Sequence, residues 1–107
     1  MADYIITEKA QKDLVDIWNY TYDVWSEKQA DKYVGKLLED IGKIALKPEI
    51  SGQSYEFVRN GFRGFHSGKH IIFFKILQNG KVRIIRILHE SMDYRRHIRA
   101  VNQDVHS

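Results

Sequence analysis

Residues 70 to 89 read His-Ile-Ile-Phe-Phe-Lys-Ile-Leu-Gln-Asn-Gly-Lys-Val-Arg-Ile-Ile-Arg-Ile-Leu-His. Two runs of β-branched and aromatic side chains flank Asn79-Gly80, the pair that most favours a tight type I′ turn because both residues tolerate positive φ. The pattern predicts antiparallel strands over 70–77 and 81–89. Strands this rich in Ile, Leu and Phe anchor in a core, so groups just beyond their ends stand on a rigid base.

Working upstream, residues 55–65 predict a further strand, broken by Gly61 and Gly64, with Ser67-Gly68 as the turn into the next one. Residues 49–56 read as a loop around Ser51-Gly52. Before them the period changes from 2 to 3.6. Ala30, Tyr33, Val34, Leu37, Leu38, Ile41, Ile44 and Ala45 line one face of a helix that Ser26 and Gln29 open as a capping box and Lys47-Pro48 ends. Gly35 and Gly42 lie at the edge of this stripe, where the missing side chains suggest close approach of a neighbouring helix. That neighbour starts after the N-cap Thr7 and carries Ala10, Leu14, Ile17, Trp18, Thr21 and Trp25 on its apolar face, with Asp13, Asp16, Asn19 and Asp23 toward solvent. Residues 3–7 are a short strand added to the sheet, and residues 94–99 a short terminal helix.

The fold class that follows is α+β: an N-terminal strand, then an antiparallel helix hairpin packed on a mainly antiparallel sheet that ends in a three-stranded meander. At 107 residues the chain fits one domain, 1–99, with 100–107 as a frayed tail. Without Cys there is no disulfide framework, thiolate nucleophile or Cys-based zinc site. The N-terminus lacks the apolar stretch of a signal peptide, and the longest aliphatic or aromatic run, Ile71 to Phe74, is too short to span a bilayer. A cytoplasmic protein with no membrane partner is expected.

The net charge of +3 hides two halves of opposite sign. Residues 1–58 hold seven Lys and no Arg against eleven Asp and Glu, whereas residues 59–99 hold ten Lys and Arg against only Glu90 and Asp93. A basic half of this kind concentrates anionic partners, nucleic acid or acidic protein. Its polar groups crowd past the last strand: His89, Glu90, Asp93, Tyr94, Arg95, Arg96 and His97. Strict alternation puts Arg86 on one strand face with Val82, Ile84 and Leu88, paired with Glu90 or Asp93 at the core's edge or free for a target. It puts His89 on the other face with Arg83, Ile85 and Ile87. His66 and His70 are separated by a turn and have no local carboxylate to complete a metal set. Gly61, Gly64 and Gly68 lie among strands with no following helix, so they form no phosphate loop, and no cofactor or metal is expected.

The order of motifs resembles a known family. Tyr4-x-x-Thr7-x-x-Ala10-x-x-Asp13-Leu14-x-x-Ile17-Trp18-x-Tyr20-Thr21 and Trp25-x-x-x-Gln29-Ala30-x-x-Tyr33 are followed by Arg59-x-Gly61-x-Arg63 and Gly68-x-His70-x-Ile72-Phe73-Phe74. Arg86-Ile87-Leu88-His89-x-x-Met92-Asp93-x-x-Arg96-His97 completes the set. Over residues 2–98 this resembles the ParE branch of the RelE/ParE toxins of bacterial type II toxin-antitoxin modules. The resemblance implies a non-catalytic poison of DNA gyrase, held in a hetero-oligomer by a cognate ParD-like antitoxin. On it, the expected target-binding residues are Arg59, Arg63, Arg86, His89, Asp93, Arg95, Arg96 and His97. The expected antitoxin-binding residues are Leu14, Trp18, Trp25, Arg63, Phe65 and Arg83.

The alternative is a RelE-like ribosome-dependent messenger RNA endoribonuclease with no metal, using Arg86, His89 and Tyr94 for phosphate, base and acid roles. Against it, cleaving relatives place an arginine near the start of the middle strand, where Ile71 stands, and a basic or aromatic group after the last strand, where Glu90 would repel a scissile phosphate. A third class is direct nucleic-acid recognition, since Phe57, Phe62, Phe65 and Phe73 interleave with basic residues. Aromatic residues at strand spacing, however, more often belong to a core.

Overall fold

The computed structural model describes residues 3–98. Strand β1 (Tyr4–Ile6) leads into helices α1 (Glu8–Val24) and α2 (Glu27–Leu46), followed by β2 (Gln53–Ser54), β3 (Phe62–Ser67), β4 (His70–Ile76) and β5 (Val82–His89). Residues 94–98 are helical. The expected residue 99 of that helix and the expected tail over 100–107 lie outside the described residues.

Both long helices begin where their caps predict. Thr7 Oγ1 accepts from the Ala10 amide and Ser26 Oγ from the Gln29 amide, each satisfying a first-turn donor that would otherwise be orphaned. The sheet order is β1-β5-β4-β3-β2. β3, β4 and β5 form the antiparallel meander, and β1 joins β5 in parallel, with Ile5 opposite Arg83. Two-residue β2 lies within the stretch expected as loop and pairs with β3. The expected strand over 55–65 begins instead at Phe62: residues 55–61 turn back on themselves through amides of Val58 and Arg59 that donate to the Tyr55 carbonyl.

The β4–β5 turn differs from the type I′ expectation. No residue other than glycine has positive φ among the described residues, so Asn79 does not adopt the conformation a type I′ turn requires, whereas Gly80 has φ +85°. The Gly80 amide donates to the Leu77 carbonyl and the Leu77 amide to the Lys81 carbonyl. This is a three-residue loop, Gln78 to Gly80, closed by a left-handed glycine.

A β-bulge interrupts the same ladder midway along β5. Phe74 pairs with Ile84 but Phe73 pairs with Arg86, leaving Ile85 without a partner. The extra residue reverses which side chains face which layer. Val82, Ile84 and Ile87 pack with Ala10, Ile17, Leu37, Ile41, Ile44, Ile72 and Phe74 under the helices. Ile85 and Leu88 belong to the opposite face, with Tyr55, Phe62, Ile71, Phe73 and Ile98. The strict alternation expected for 82–89 is therefore wrong beyond Ile84: Leu88 leaves the layer of Val82 and Ile84, and Ile87 joins it.

Two further expectations fail at the hairpin. A Cβ at Gly35 or Gly42 would meet nothing within 4 Å, so no helix approaches closely there. Asp13 is not on the solvent side, because it sits between α1 and β5 with its side chain only 11% exposed.

Candidate functional site

The bulge places three polar side chains from the chain's two ends together. Arg86 Nε and one terminal nitrogen donate to the two carboxylate oxygens of Asp13 at 2.8 and 2.9 Å, and the Asp13 oxygen that receives Nε also accepts from the Ile87 amide at 2.9 Å. Thr7 Oγ1, besides capping α1, donates to the Ile85 carbonyl at 3.0 Å. The first turns of α1 thus satisfy backbone groups that the bulge takes out of the ladder. The Arg86 pKa is raised, first by the hydrogen bonds to Asp13, against the opposing effect of burial. Arg86 is therefore paired with Asp13 rather than with Glu90 or Asp93.

Beside this pair lies a cleft of about 210 Å³ that Asp13, Asp16, His70, Arg86, His89 and Met92 help to line. An adjoining cleft of about 280 Å³ shares Asp16, Ile17, His70 and His89 and adds Tyr20. His70 Nδ1 is 2.7 Å from the Tyr33 hydroxyl, which already accepts from the Lys69 amide at 2.9 Å. Tyr33 and His70 are thus joined by one short hydrogen bond between the phenol and Nδ1. Burial, reinforced by the nearby His89, lowers the His70 pKa to about 4. At neutral pH this imidazole is uncharged. His89 stands edge-on to it, ring centres 5.3 Å apart, with its Nδ1 held by the Ser91 amide and hydroxyl.

The expected target-binding residues divide among several places. Arg63 donates to the carbonyls of Ser51 and Gly52 and so ties down the loop before β2. Arg86 is held by Asp13, and His89 lines the clefts. Arg95 and Arg96 are exposed on helical residues 94–98, preceded by exposed Asp93, with His97 half-buried. Arg95 lies over the ring of Phe57, 5.4 Å from its centre, in the turn that also holds half-buried Arg59. Tyr94, the acid of the ribonuclease alternative, packs on Tyr55 and Phe73 across the sheet from Arg86, so the trio Arg86, His89 and Tyr94 does not converge.

The expected antitoxin-binding residues are equally dispersed. Leu14 and Phe65 pack against the helix-side core. Trp18 donates to Asp31 across the hairpin and stacks on Tyr22, and Trp25, which ends α1, is 74% exposed. Val15, Trp18 and Tyr22 continue to Trp25 at helical spacing, with Val15 and Tyr22 also exposed. Arg83 lies on the opposite sheet face.

Sequence reasoning missed Asp13 and Tyr33 as determinants of these surfaces. Asp13 carried a signal: three residues after Ala10 and four before Ile17, it shares the buried side of α1.

The model of the family described as "ParE toxin of type II toxin-antitoxin system, parDE" matches residues 4–94. The chain belongs to the ParE toxin family. Toxin ParE1 of Caulobacter vibrioides is 39% identical over 98 residues, covering 92% of this chain and 99% of that one. Toxin ParE1 of Mycobacterium tuberculosis is 34% identical over 95 residues, covering 89% and 96%. Among solved structures, one titled "Chromosomal ParDE TA system from P. aeruginosa" superposes with a TM-score of 0.71 at 22% identity, covering 83% of this chain and 96% of that chain. That likeness shows the RelE/ParE-like fold. No helix among the described residues of this ParE-family toxin is long and apolar enough to cross a membrane.

Proposed function

We propose that this ParE-family chain poisons DNA gyrase by gripping it, breaking no bond with its own side chains, and that a ParD-like antitoxin neutralises it in a cytoplasmic hetero-oligomer. The observation that carries this reading is the state of Arg86. The arginine that shares the cleft with the histidines is already held at two points by Asp13, while Arg95 and Arg96 stand exposed with no ion pair among the described residues. Exposed cations beside apolar contacts suit binding to a large anionic partner. The acidic antitoxin would cover these cations or lay an amphipathic segment along Val15, Trp18, Tyr22 and Trp25. The test is a gyrase reaction with purified toxin. Accumulated double-strand breaks support the reading, and unchanged supercoiling with no trapped cleavage overturns it.

The meeting of His70, Arg86 and His89 around one cleft favours, as the second reading, a ribosome-dependent ribonuclease. With Nδ1 accepting from the Ser91 amide, the neutral His89 ring carries its proton on Nε2, so a base role would require the other tautomer as well as release of Arg86 from Asp13 to reach phosphate. Intact message on translating ribosomes after exposure to toxin would dismiss this alternative.

A further inference from the structure

The sheet face turned away from the helix hairpin carries an aromatic ring that the fold leaves uncovered. Phe57 is 65% exposed, whereas Phe62 and Phe73 are buried and Phe65 packs against the helix-side core. Phe57 is nevertheless not loose. Its ring lies 5.5 Å from that of Tyr55, which is itself held edge-on by Phe73 and Tyr94 at 5.1 and 5.6 Å. An apolar ring on a rigid aromatic base, kept out of the core, is a pre-organised flat contact.

One cation contacts it, and others follow in the same turn, in the same terminal helix and on the same sheet face. Arg95 lies across the Phe57 ring. Arg59 stands two residues on in the same turn, and Arg96 follows Arg95. Lys75 runs past Gly61 at the end of that turn, its Cε 3.3 Å from where a glycine Cβ would stand. Arg83 is the neighbour of Lys75 across β4 and β5, on the same face. Among the described residues none of these five forms an ion pair with a carboxylate, although Glu56 and Asp93 are close in sequence. Folding therefore leaves these cations without carboxylate partners among the described residues, one of them on the exposed ring.

We infer that Phe57 and Arg95 form a stacking point for an unpaired base, with Arg59, Lys75, Arg83 and Arg96 along the path of the flanking phosphates, so that this face binds single-stranded nucleic acid. Every base has a π-face, and stacking on an aromatic ring or a guanidinium plane is sequence-tolerant. A duplex buries its base faces in its own stack and offers only phosphates. The face thus favours strands that are open, and the inference goes beyond the gyrase reading because it needs no enzyme partner.

The test is fluorescence anisotropy of the full chain with labelled oligothymidylate, oligouridylate and a mixed-sequence DNA duplex, each titrated between low and moderate salt. Either single strand is expected to bind at least tenfold more tightly than the duplex. The two single-stranded arms compare a DNA strand with an RNA strand, and binding to either supports the proposal. Phe57→Leu keeps an apolar contact with Tyr55 but removes the flat face. It is expected to weaken single-strand binding about tenfold and leave the salt slope unchanged. Arg96→Ala, at an exposed position, should lower that slope by about 0.7, the loss of one phosphate contact. Circular dichroism of each variant reports folding. No binding to either single strand at low salt, equal affinity for the duplex, or unaltered binding by folded Phe57→Leu would overturn the inference.

Discussion

Asp13 and Arg86 lie 73 residues apart in the chain and are joined by two parallel hydrogen bonds of 2.8 and 2.9 Å, with the Asp13 carboxylate also receiving the Ile87 amide. One carboxylate therefore fixes the angle of α1 on the sheet, neutralises a half-buried guanidinium and caps the bulge that sets the facing of β5.

Removing one partner of such a pair leaves the other as an unpaired charge. Both side chains are largely buried, at 15% and 11% exposure, so Asp13→Ala is expected to cost about 3 kcal/mol, measured by urea unfolding. Asp13→Asn retains an acceptor for the Ile87 amide and should cost about half as much. The double variant Asp13→Ala with Arg86→Ala should fall short of the summed single losses by about 1–2 kcal/mol. Strict additivity would mean that the pair contributes no coupling.

His70 makes the fold sensitive to acid. Its pKa in the folded chain is about 4, below the ordinary 6.5, so below pH 6.5 the unfolded chain takes up a proton that the folded chain refuses. The stabilising contribution is complete above pH 6.5 and is lost as the pH falls toward 4. Because the imidazole keeps part of its contact with solvent, the loss is about 2 kcal/mol rather than the full value of the shift. His70→Gln, which keeps an acceptor within reach of Tyr33, should flatten the stability profile between pH 4 and 6.5. A midpoint near 6.5 for His70 in a histidine NMR titration would contradict the assignment of an uncharged, Tyr33-bonded ring.

What the sequence disclosed and what it hid divide along physical lines. Thr7 and Ser26 announced both helix starts because a cap is a local hydrogen bond. The meander was legible because β-branched and aromatic runs are separated by glycine turns. The bulge was not. β5 is buried on both faces, and its apolar residues include the adjacent pairs Ile84-Ile85 and Ile87-Leu88, which mask a one-residue slip. The second core was hidden for a related reason: Tyr55 and Val58 reach it from an irregular turn without periodicity. Asn79-Gly80 marked the hairpin but not its loop, since Gly80 alone supplies the positive φ. Of the candidate sites, the exposed cations Arg95 and Arg96 were visible from charge alone. The capture of Arg86 by Asp13 and of Arg63 by the carbonyls of Ser51 and Gly52 depends on contacts far along the chain.

Two glycines with the same sign of φ should differ sharply in tolerance. Gly52 has φ +65°, and a Cβ there would collide with the backbone of Gly64, which cannot move without breaking the β2–β3 pairing. Gly80 has φ +85° but open space around it. Gly80→Ala is expected to cost about 1–2 kcal/mol from backbone strain alone. Gly52→Ala adds overpacking and should cost about 3 kcal/mol or more. Equal losses in thermal unfolding would show that the loop before β2 yields freely.

Gly35 offers the opposite case. It lies exposed in α2 with helical φ, and a Cβ at this position meets nothing within 4 Å, so neither packing nor backbone geometry in the free chain calls for glycine. Alanine loses less backbone entropy on entering a helix, and Gly35→Ala should stabilise the fold by about 1 kcal/mol. For a chain of this size that is a rise of about 4 °C in Tm, readable by circular dichroism. A stabilised variant that also binds a ParD-like antitoxin more weakly would show that the bare stretch of α2 serves a partner's close approach. A loss of stability would show instead that the folded chain brings a neighbour against Gly35 that the open surface does not reveal.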